Sequence, residues 1–240
     1  MEQHRAYLDA LEMHGFAVFE LPPLPDHPDG AFTEDLGVAF PEVMVWGRAA
    51  APGRLGELEA TLHGAEALLK GVLEGRDPGT RQVRAIQSPG TLDGGDVIRL
   101  GRTVLVGGST RTNPAALNQL IDALGPHGYR VQLVPVRGAL HLRTACSPVG
   151  PDALLVNPEW VDVDSLSRYR LLRVHETEPF GANVLPARGS TVLVSLSAPR
   201  TSEVLAAIGA DPAPVDISEF EKAEGGLTCL SLRVPPPAAP

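Results

Sequence analysis

The chain has 240 residues, 43% of them apolar and 20% charged, with a formal net charge of −9. An acidic surface lacks the positive field that binds nucleic acid or an anionic membrane, so neither is expected as a partner. No run reaches the roughly 18 apolar residues of a membrane span, the N-terminus has no apolar signal segment, and the two cysteines support neither a disulfide scaffold nor a structural zinc site. We therefore expect a cytoplasmic protein.

The periodicity of apolar residues and the positions of turn residues predict a helix at Glu2–His14 and a strand at Phe16–Leu21. A unit of β-hairpin, helix and strand then recurs four times. The predicted hairpins span 36–47, 97–106, 147–156 and 184–194; the helices span 55–73, 114–124, 161–169 and 201–208; the closing strands span 82–87, 129–136, 171–174 and 213–217. Repeats of this length favour an α/β ring of supersecondary units.

A fifth unit is expected to be shared between the two ends of the chain. Its first strand is predicted at Leu230–Val234, directly after Cys229, and its helix and last strand are those predicted at the N-terminus. One strand that should precede Glu2 is missing from this count, so either the chain starts late, which is the interpretation we prefer, or the fifth unit is incomplete. The prediction is a single domain at 1–234, followed by a proline-rich tail at 235–240.

If the units radiate from one axis, the segments that enter the hairpins line a common site. Those segments are 32–35, 93–96, 141–144, 183 and 228–229. They bring a cysteine, a histidine and several carboxylates together, which is the composition of a thiol nucleophile with a general acid/base and an orienting acid. The additional carboxylates suit a guanidinium, which makes paired, charge-assisted hydrogen bonds.

Each of these residues also has an ordinary structural interpretation. A lone cysteine at the end of a buried strand is more often a small, inert apolar residue, and Cys146 is assigned to that role. His141 lies between two leucines and fits a core or edge histidine, and aspartates around a glycine pair are usually turn residues. Only the convergence implied by the repeat favours chemistry at Cys229.

Six motifs in this order resemble the dimethylarginine dimethylaminohydrolase family. They are residues 28–35, 92–97, 107–113, 140–144, 182–184 and 226–231. The resemblance extends from about Glu2 to Val234 and implies the five-bladed α/β propeller of the guanidino-group-modifying (pentein) superfamily.

The resemblance implies a catalytic set of Cys229 as nucleophile, His141 as general acid/base and Asp93 as the carboxylate that orients the histidine. No metal and no organic cofactor is implied. The implied reaction converts dimethylarginine to citrulline and an alkylamine through a thiouronium intermediate on the cysteine.

The resemblance also implies a substrate-binding set. Glu34 and Asp35 match the acids near the substrate guanidinium, with Asp29 and Phe32 as further contacts. Arg54 and Arg111 match the two arginines that hold the substrate α-carboxylate, and Ala223 offers its backbone carbonyl. The expected partner is thus a small guanidino molecule, and a homodimer is compatible with the resemblance.

Two alternatives are left open by the sequence. One is a related hydrolase that uses the same residues on unmodified arginine, since pocket volume decides which amine leaves. The other is a non-catalytic propeller that serves as a binding module. The family normally begins with a strand and a mobile loop that covers the substrate, and this chain starts after both, so the contact from that loop is expected to be missing.

Overall fold

The computed structural model describes residues 2–74 and 81–236, with side chains for 2–65 and 81–236. The helices are α1 (Glu2–Met13), α2 (Glu57–Glu74), α3 (Pro114–Leu124), α4 (Leu142–Ala145), α5 (Pro199–Ala206) and α6 (Ser218–Glu221). The strands are β1 (Gly37–Ala39), β2 (Val43–Trp46), β3 (Gln82–Ala85), β4 (Val97–Leu100), β5 (Thr103–Gly108), β6 (Arg130–Pro135), β7 (Cys146–Pro148), β8 (Ala153–Val156), β9 (Arg170–Arg173), β10 (Leu185–Pro186), β11 (Thr191–Ser195) and β12 (Asp211–Val215).

The strands of the described ranges form four three-stranded sheets, in the orders β1-β2-β3, β4-β5-β6, β7-β8-β9 and β10-β11-β12. In each sheet an antiparallel hairpin comes first, and in three of the sheets the third strand pairs with the middle strand in parallel. A parallel partner needs a crossover connection, which the intervening helix or helical turn provides. The predicted succession of hairpin, helix and strand is confirmed for three units, and in the third unit a 3-10 turn stands in place of the predicted helix.

The middle strands carry the core because they are covered on both faces. Every residue of β2 and of β8 is buried, which explains their unbroken apolar runs. The helix α3 adds Leu120 and Leu124, both fully buried, to the cluster around Phe40 and Val104. No described helix has the length and apolar character that crossing a membrane requires.

The chain divides into two compact units. One comprises Met1–Val18 and Val134–Thr228, and the other comprises Phe19–Leu133 and Cys229–Pro240.

In the second unit, Glu42 accepts hydrogen bonds from Tyr129 (2.7 Å) and Arg102 (2.6 Å). Burial raises the pKa of Glu42, but these two hydrogen bonds outweigh it and the net pKa lies below the ordinary value.

Two predicted strands do not form in the described part of the chain. Phe16–Leu21 is irregular, and the segment predicted as the strand Leu230–Val234 leaves a turn at 227–230 without entering a sheet. Three of their apolar residues contribute to side-chain packing: Leu21, Leu232 and Val234 pack against the buried cluster around Met44 and Trp46. The apolar residues of Leu230–Val234 thus reflect side-chain packing and not ladder hydrogen bonds, whereas Phe19 of the first segment is exposed.

Smaller differences concern the helices. The helix predicted at 161–169 is a single 3-10 turn at Val163–Leu166, and α6 is not anticipated by the sequence. The helix α2 contains a non-helical residue, Ala65, with φ −128°. The proline-rich tail lies outside the described residues from 237 onward.

Candidate active site

A 3-10 turn at Thr33–Leu36 carries the predicted guanidinium-binding acids, Glu34 and Asp35, into β1. The backbone N–H of Glu34 donates to the carbonyl oxygen of Cys229 at 3.1 Å. The Glu34 side chain is buried, and its Oε1 lies 3.6 Å from Nη2 of Arg233. This turn is therefore attached directly to the backbone of the predicted nucleophile.

The Asp-Gly-Gly-Asp run packs against the same turn. A Cβ on Gly94 would overlap the carbonyl oxygens of Glu34 and Gly37, so only glycine allows this approach. The N–H of Gly95 donates to Oδ1 of Asp35 at 3.1 Å. Asp93, the first acid of the run, is fully buried in an extended conformation. The glycine pair thus places the segment of Asp93 against the segment of Glu34 and Asp35.

Arg54 is buried, and the protein itself engages its guanidinium. Its Nη1 lies 2.6 Å from Oδ2 of Asp35, its Nε and Nη2 lie 2.9 and 2.7 Å from Oε2 of Glu57, and Nη2 also donates to the Phe32 carbonyl at 3.1 Å. Burial lowers the pKa of Arg54, but the hydrogen bond to Glu57 and the charge of Asp35 outweigh it and raise the pKa above its ordinary value. The guanidinium is therefore a permanent cation held between two carboxylates.

Arg111 lies in the loop between β5 and α3, and a buried carboxylate organises that loop. Asp96 is fully buried, and its Oδ2 accepts from Oγ of Ser109 at 2.5 Å and from Oγ1 of Thr112 at 2.7 Å. Oγ of Ser109 in turn accepts the backbone N–H of Arg111 at 3.0 Å. Asp96 thereby fixes the backbone on both sides of Arg111.

Asp29 is exposed in the turn before Phe32.

In the other unit, His141 is 4% exposed and directly precedes the short helix α4. Asn183 forms hydrogen bonds with this region and with the last residue of the unit. Its Nδ2 donates to the Arg143 carbonyl at 3.2 Å and to Oγ1 of Thr228 at 3.1 Å, and its Oδ1 accepts the Thr228 N–H at 3.0 Å. A Cβ on Gly226 would overlap the Asn183 side chain, which explains that glycine. Asn183 therefore holds both the residues after His141 and the residue before Cys229.

The two cysteines differ in environment. Cys146 is fully buried in β7, and burial raises its pKa to about 12, so it stays a thiol at neutral pH. Cys229 is partly exposed in the turn at 227–230. Since the thiolate is the nucleophile, this contrast fits the inert role predicted for Cys146.

The predicted site residues fall in both units. Asp29, Phe32, Glu34, Asp35, Arg54, Asp93, Arg111 and Cys229 belong to one, and His141 and Ala223 belong to the other, where Ala223 is exposed just after α6. The sequence assigned no individual role to Glu57, Asp96 or Asn183, although 93–96 and 183 are among the segments expected to line the site. The position of Asp96 and Asn183 within motifs was the available signal for these two residues, whereas Glu57 lies in no motif and gave no signal.

The chain is similar to known proteins over nearly its whole length. No family model matches it. Over 234 residues it is 41% identical to the N(G),N(G)-dimethylarginine dimethylaminohydrolase of Streptomyces coelicolor, covering 98% of this chain and 85% of that protein.

Two solved structures are similar as well. One is a histidine-to-glycine variant of dimethylarginine dimethylaminohydrolase as its adduct with S-methyl-L-thiocitrulline, with a TM-score of 0.85, 31% identity, and coverage of 97% of this chain and 87% of that one. The other is a cysteine-to-serine variant of the Pseudomonas aeruginosa protein complexed with citrulline, with a TM-score of 0.83, 30% identity and the same coverage.

Proposed function

The chain belongs to the dimethylarginine dimethylaminohydrolase family, and we propose that it hydrolyses a guanidinium C–N bond of Nω-methylated arginine to give citrulline and an alkylamine. The observation that carries the proposal is the 41% identity over 98% of the chain, because a match of this extent spans the segments that contain the candidate site residues. Family membership also supports a five-bladed propeller as a single domain at 1–234, with each described three-stranded sheet as one blade.

Substrate recognition depends on the opposite charges at the two ends of the substrate, the guanidinium and the α-carboxylate. Glu34 and Asp35 accept N–H groups of the substrate guanidinium in charge-assisted hydrogen bonds, and their low exposure strengthens the attraction. Arg111 binds the α-carboxylate. Phe32 and Asp29 lie on the segment that leads into the acidic turn and supply further contacts, as does the backbone carbonyl of Ala223.

The chemistry begins with the thiolate of Cys229, which attacks the guanidinium carbon and gives a tetrahedral adduct. His141 in its protonated form donates its proton to the departing amine, which breaks the C–N bond and leaves a thiouronium joined to the sulfur. A water molecule then attacks the same carbon while His141 accepts its proton. Collapse of the second adduct breaks the C–S bond and releases citrulline, and Asp93 keeps His141 correctly oriented through both steps.

The test is citrulline formation from dimethylarginine and, separately, from arginine, with the wild type and with Cys229→Ser. Product from dimethylarginine that disappears in the variant is the expected result. Product from arginine alone would replace the proposal with a deiminase, and the absence of product from both substrates would contradict a hydrolase of either kind. Cys146→Ser is the matched control and is expected to retain activity, because Cys146 is a buried thiol.

A further inference from the structure

The helix α1 contains no candidate site residue, but it binds the segment that leads to Cys229. Tyr7 of this helix is fully buried, and its hydroxyl donates to the Leu227 carbonyl at 2.8 Å. A buried hydroxyl is unfavourable without a hydrogen-bond partner, so phenylalanine would be the simpler residue if this position served the core alone. The hydrogen bond to Leu227 accounts for a tyrosine at this core position.

Gln3 makes a second contact from the same face of α1. It lies four residues before Tyr7, and residues at this spacing are neighbours on one face of a helix. Its Nε2 donates to Oγ of Ser218 at 2.9 Å, and its Oε1 accepts the N–H of Glu219 at 2.9 Å. Through these two residues, α1 is bound to both ends of the segment 218–228.

The candidate nucleophile lies in a turn, and hydrogen bonds from outside the turn hold its backbone. Residues 227–230 form this turn, which belongs to no sheet of the described chain. Each of the three residues that end at the nucleophile has a backbone group in such a hydrogen bond. The pairs are the Tyr7 hydroxyl with the Leu227 carbonyl (2.8 Å), Oδ1 of Asn183 with the Thr228 N–H (3.0 Å) and the Glu34 N–H with the Cys229 carbonyl (3.1 Å).

These hydrogen bonds restrict the direction in which the Cys229 side chain leaves the backbone. Because a peptide unit is planar and rigid, a fixed carbonyl or N–H on each successive residue leaves the chain between them little freedom to rotate. Tyr7 holds the first of the three residues, and Leu227 itself is fully buried. Loss of the Tyr7 hydroxyl therefore loosens the turn at its beginning.

We propose that Tyr7 is a positioning residue for the reaction, which holds the Leu227 carbonyl and thereby fixes the turn from which the Cys229 thiolate attacks. This inference rests on the proposed function, because it takes Cys229 as the nucleophile. Tyr7 acts through the backbone of residues 227–228 and not by contact with the substrate. The N-terminal helix, which the repeat pattern explains only as part of a fifth unit, thus has a role in catalysis.

Tyr7→Phe tests this role with a small change, because it removes one oxygen and keeps the ring that fills the core. A shift of a few tenths of an ångström at the thiolate is sufficient for an effect, since a 1 Å misplacement costs about a hundredfold in rate. We expect kcat for dimethylarginine to fall about tenfold. KM is expected to stay close to the wild-type value, because the groups proposed to bind the substrate are unaltered.

Tyr129→Phe is the matched control. The hydroxyl of Tyr129 also donates a hydrogen bond, to Oε2 of Glu42 at 2.7 Å, and Tyr129 is also buried. Both variants are expected to lower the denaturant midpoint, because each leaves an acceptor without its tyrosine donor. Only Tyr7→Phe is expected to lower kcat, so a purely structural effect of the hydroxyl is separated from an effect on the reaction.

Hydrogen–deuterium exchange supplies a readout that does not depend on activity. In Tyr7→Phe, the peptide that contains residues 227–230 is expected to exchange faster than in the wild type, because the turn opens more often. The same peptide is expected to be unchanged in Tyr129→Phe. A peptide that contains β8 should exchange alike in all three proteins, which excludes a general loss of structure.

The inference is overturned if Tyr7→Phe retains the wild-type kcat, if it raises KM alone, or if Tyr129→Phe lowers kcat to the same extent. Unchanged exchange of residues 227–230 in Tyr7→Phe would also overturn it. These outcomes differ from a failure of the proposed function, in which the wild type forms no citrulline. In that case, faster exchange in Tyr7→Phe would retain the hold of Tyr7 on the turn, and unchanged exchange would refute it.

Discussion

Gly47, which follows β2, lies where two segments of the candidate active site meet. A Cβ at this position would stand 2.5 Å from the Leu92 carbonyl oxygen and 3.1 Å from that of Asp35. The neighbouring residue Arg48 forms an isolated antiparallel bridge with Leu92, which precedes Asp93. Gly47→Ala therefore pushes the segment of Asp93 away from the turn that carries Asp35.

The size of the effect follows from this distance. Cβ atoms do not approach other heavy atoms more closely than 3.0 Å, so the backbone has to move by about half an ångström. Overpacking in a rigid environment costs about 1–3 kcal/mol, and the carbonyl has no rotamer that relieves the contact. For a chain of this length, about 2 kcal/mol lowers Tm by about 4–8 °C. Because a 1 Å misplacement costs about a hundredfold in rate, we expect about a tenfold loss of kcat/KM.

The assay compares Tm from circular dichroism and citrulline formation for Gly47→Ala and for Gly125→Ala. The second variant is the control, since a Cβ at Gly125 meets nothing within 4 Å and its φ of −54° suits alanine. If Gly47→Ala keeps both the wild-type Tm and the wild-type rate, the argument that these two segments are fixed by close backbone packing is wrong.

Three further predictions concern other buried groups. Iodoacetamide at neutral pH is expected to alkylate Cys229 and not Cys146, because burial raises the pKa of Cys146 to about 12. Peptide mass spectrometry locates the label, and equal labelling of the two cysteines would contradict the difference in their environments. Asp96→Asn is expected to raise KM for dimethylarginine several-fold more than it lowers kcat, because the loop around Arg111 loses its carboxylate acceptor, and a change in kcat alone would refute that role. Glu42→Gln is expected to lower the denaturant midpoint at pH 7. The difference from the wild type should shrink as the pH falls below about 4.3, because a carboxyl with a depressed pKa no longer stabilises the folded state once it is protonated. A difference that stays constant from pH 7 to pH 3 would contradict this stabilising role of Glu42.

The four hairpins with their closing strands, and the helices of three units, were predictable from the sequence because the two kinds of element have different periods. Alternating or continuous apolar residues mark the hairpins, and a 3.6-residue period marks helices such as α3, whose observed bounds, Pro114–Leu124, are those expected. The segments Phe16–Leu21 and Leu230–Val234 carry a similar apolar pattern but form no ladder in the described chain. A pattern of apolar residues does not specify whether a neighbouring strand is available, and it does not by itself specify burial, since Phe19 is 56% exposed.

The chemistry of the candidate site was predictable only where motifs carry it. The glycine pair at 94–95 indicated a turn, and the structure adds the reason, which is the approach of the Gly94 backbone to Glu34. The environment of Arg54 was not predictable, because its partner Glu57 belongs to no motif and an Arg–Glu pair three residues apart usually lies on the surface. Because this Arg–Glu pair is buried, it has a structural role that a surface pair would not have, and its burial depends on the tertiary fold.

The central claim, that Cys229 forms a covalent bond to the guanidinium carbon, is tested most directly by trapping that bond. His141→Gly removes the group proposed to assist hydrolysis of the intermediate, and the variant is mixed with S-methyl-L-thiocitrulline, quenched in acid and digested for mass spectrometry. The account predicts an adduct on the peptide that contains Cys229, with none on the peptide of Cys146 and none in the double variant with Cys229→Ser. An adduct on another residue, or unmodified Cys229 after complete turnover of the compound, would contradict the account.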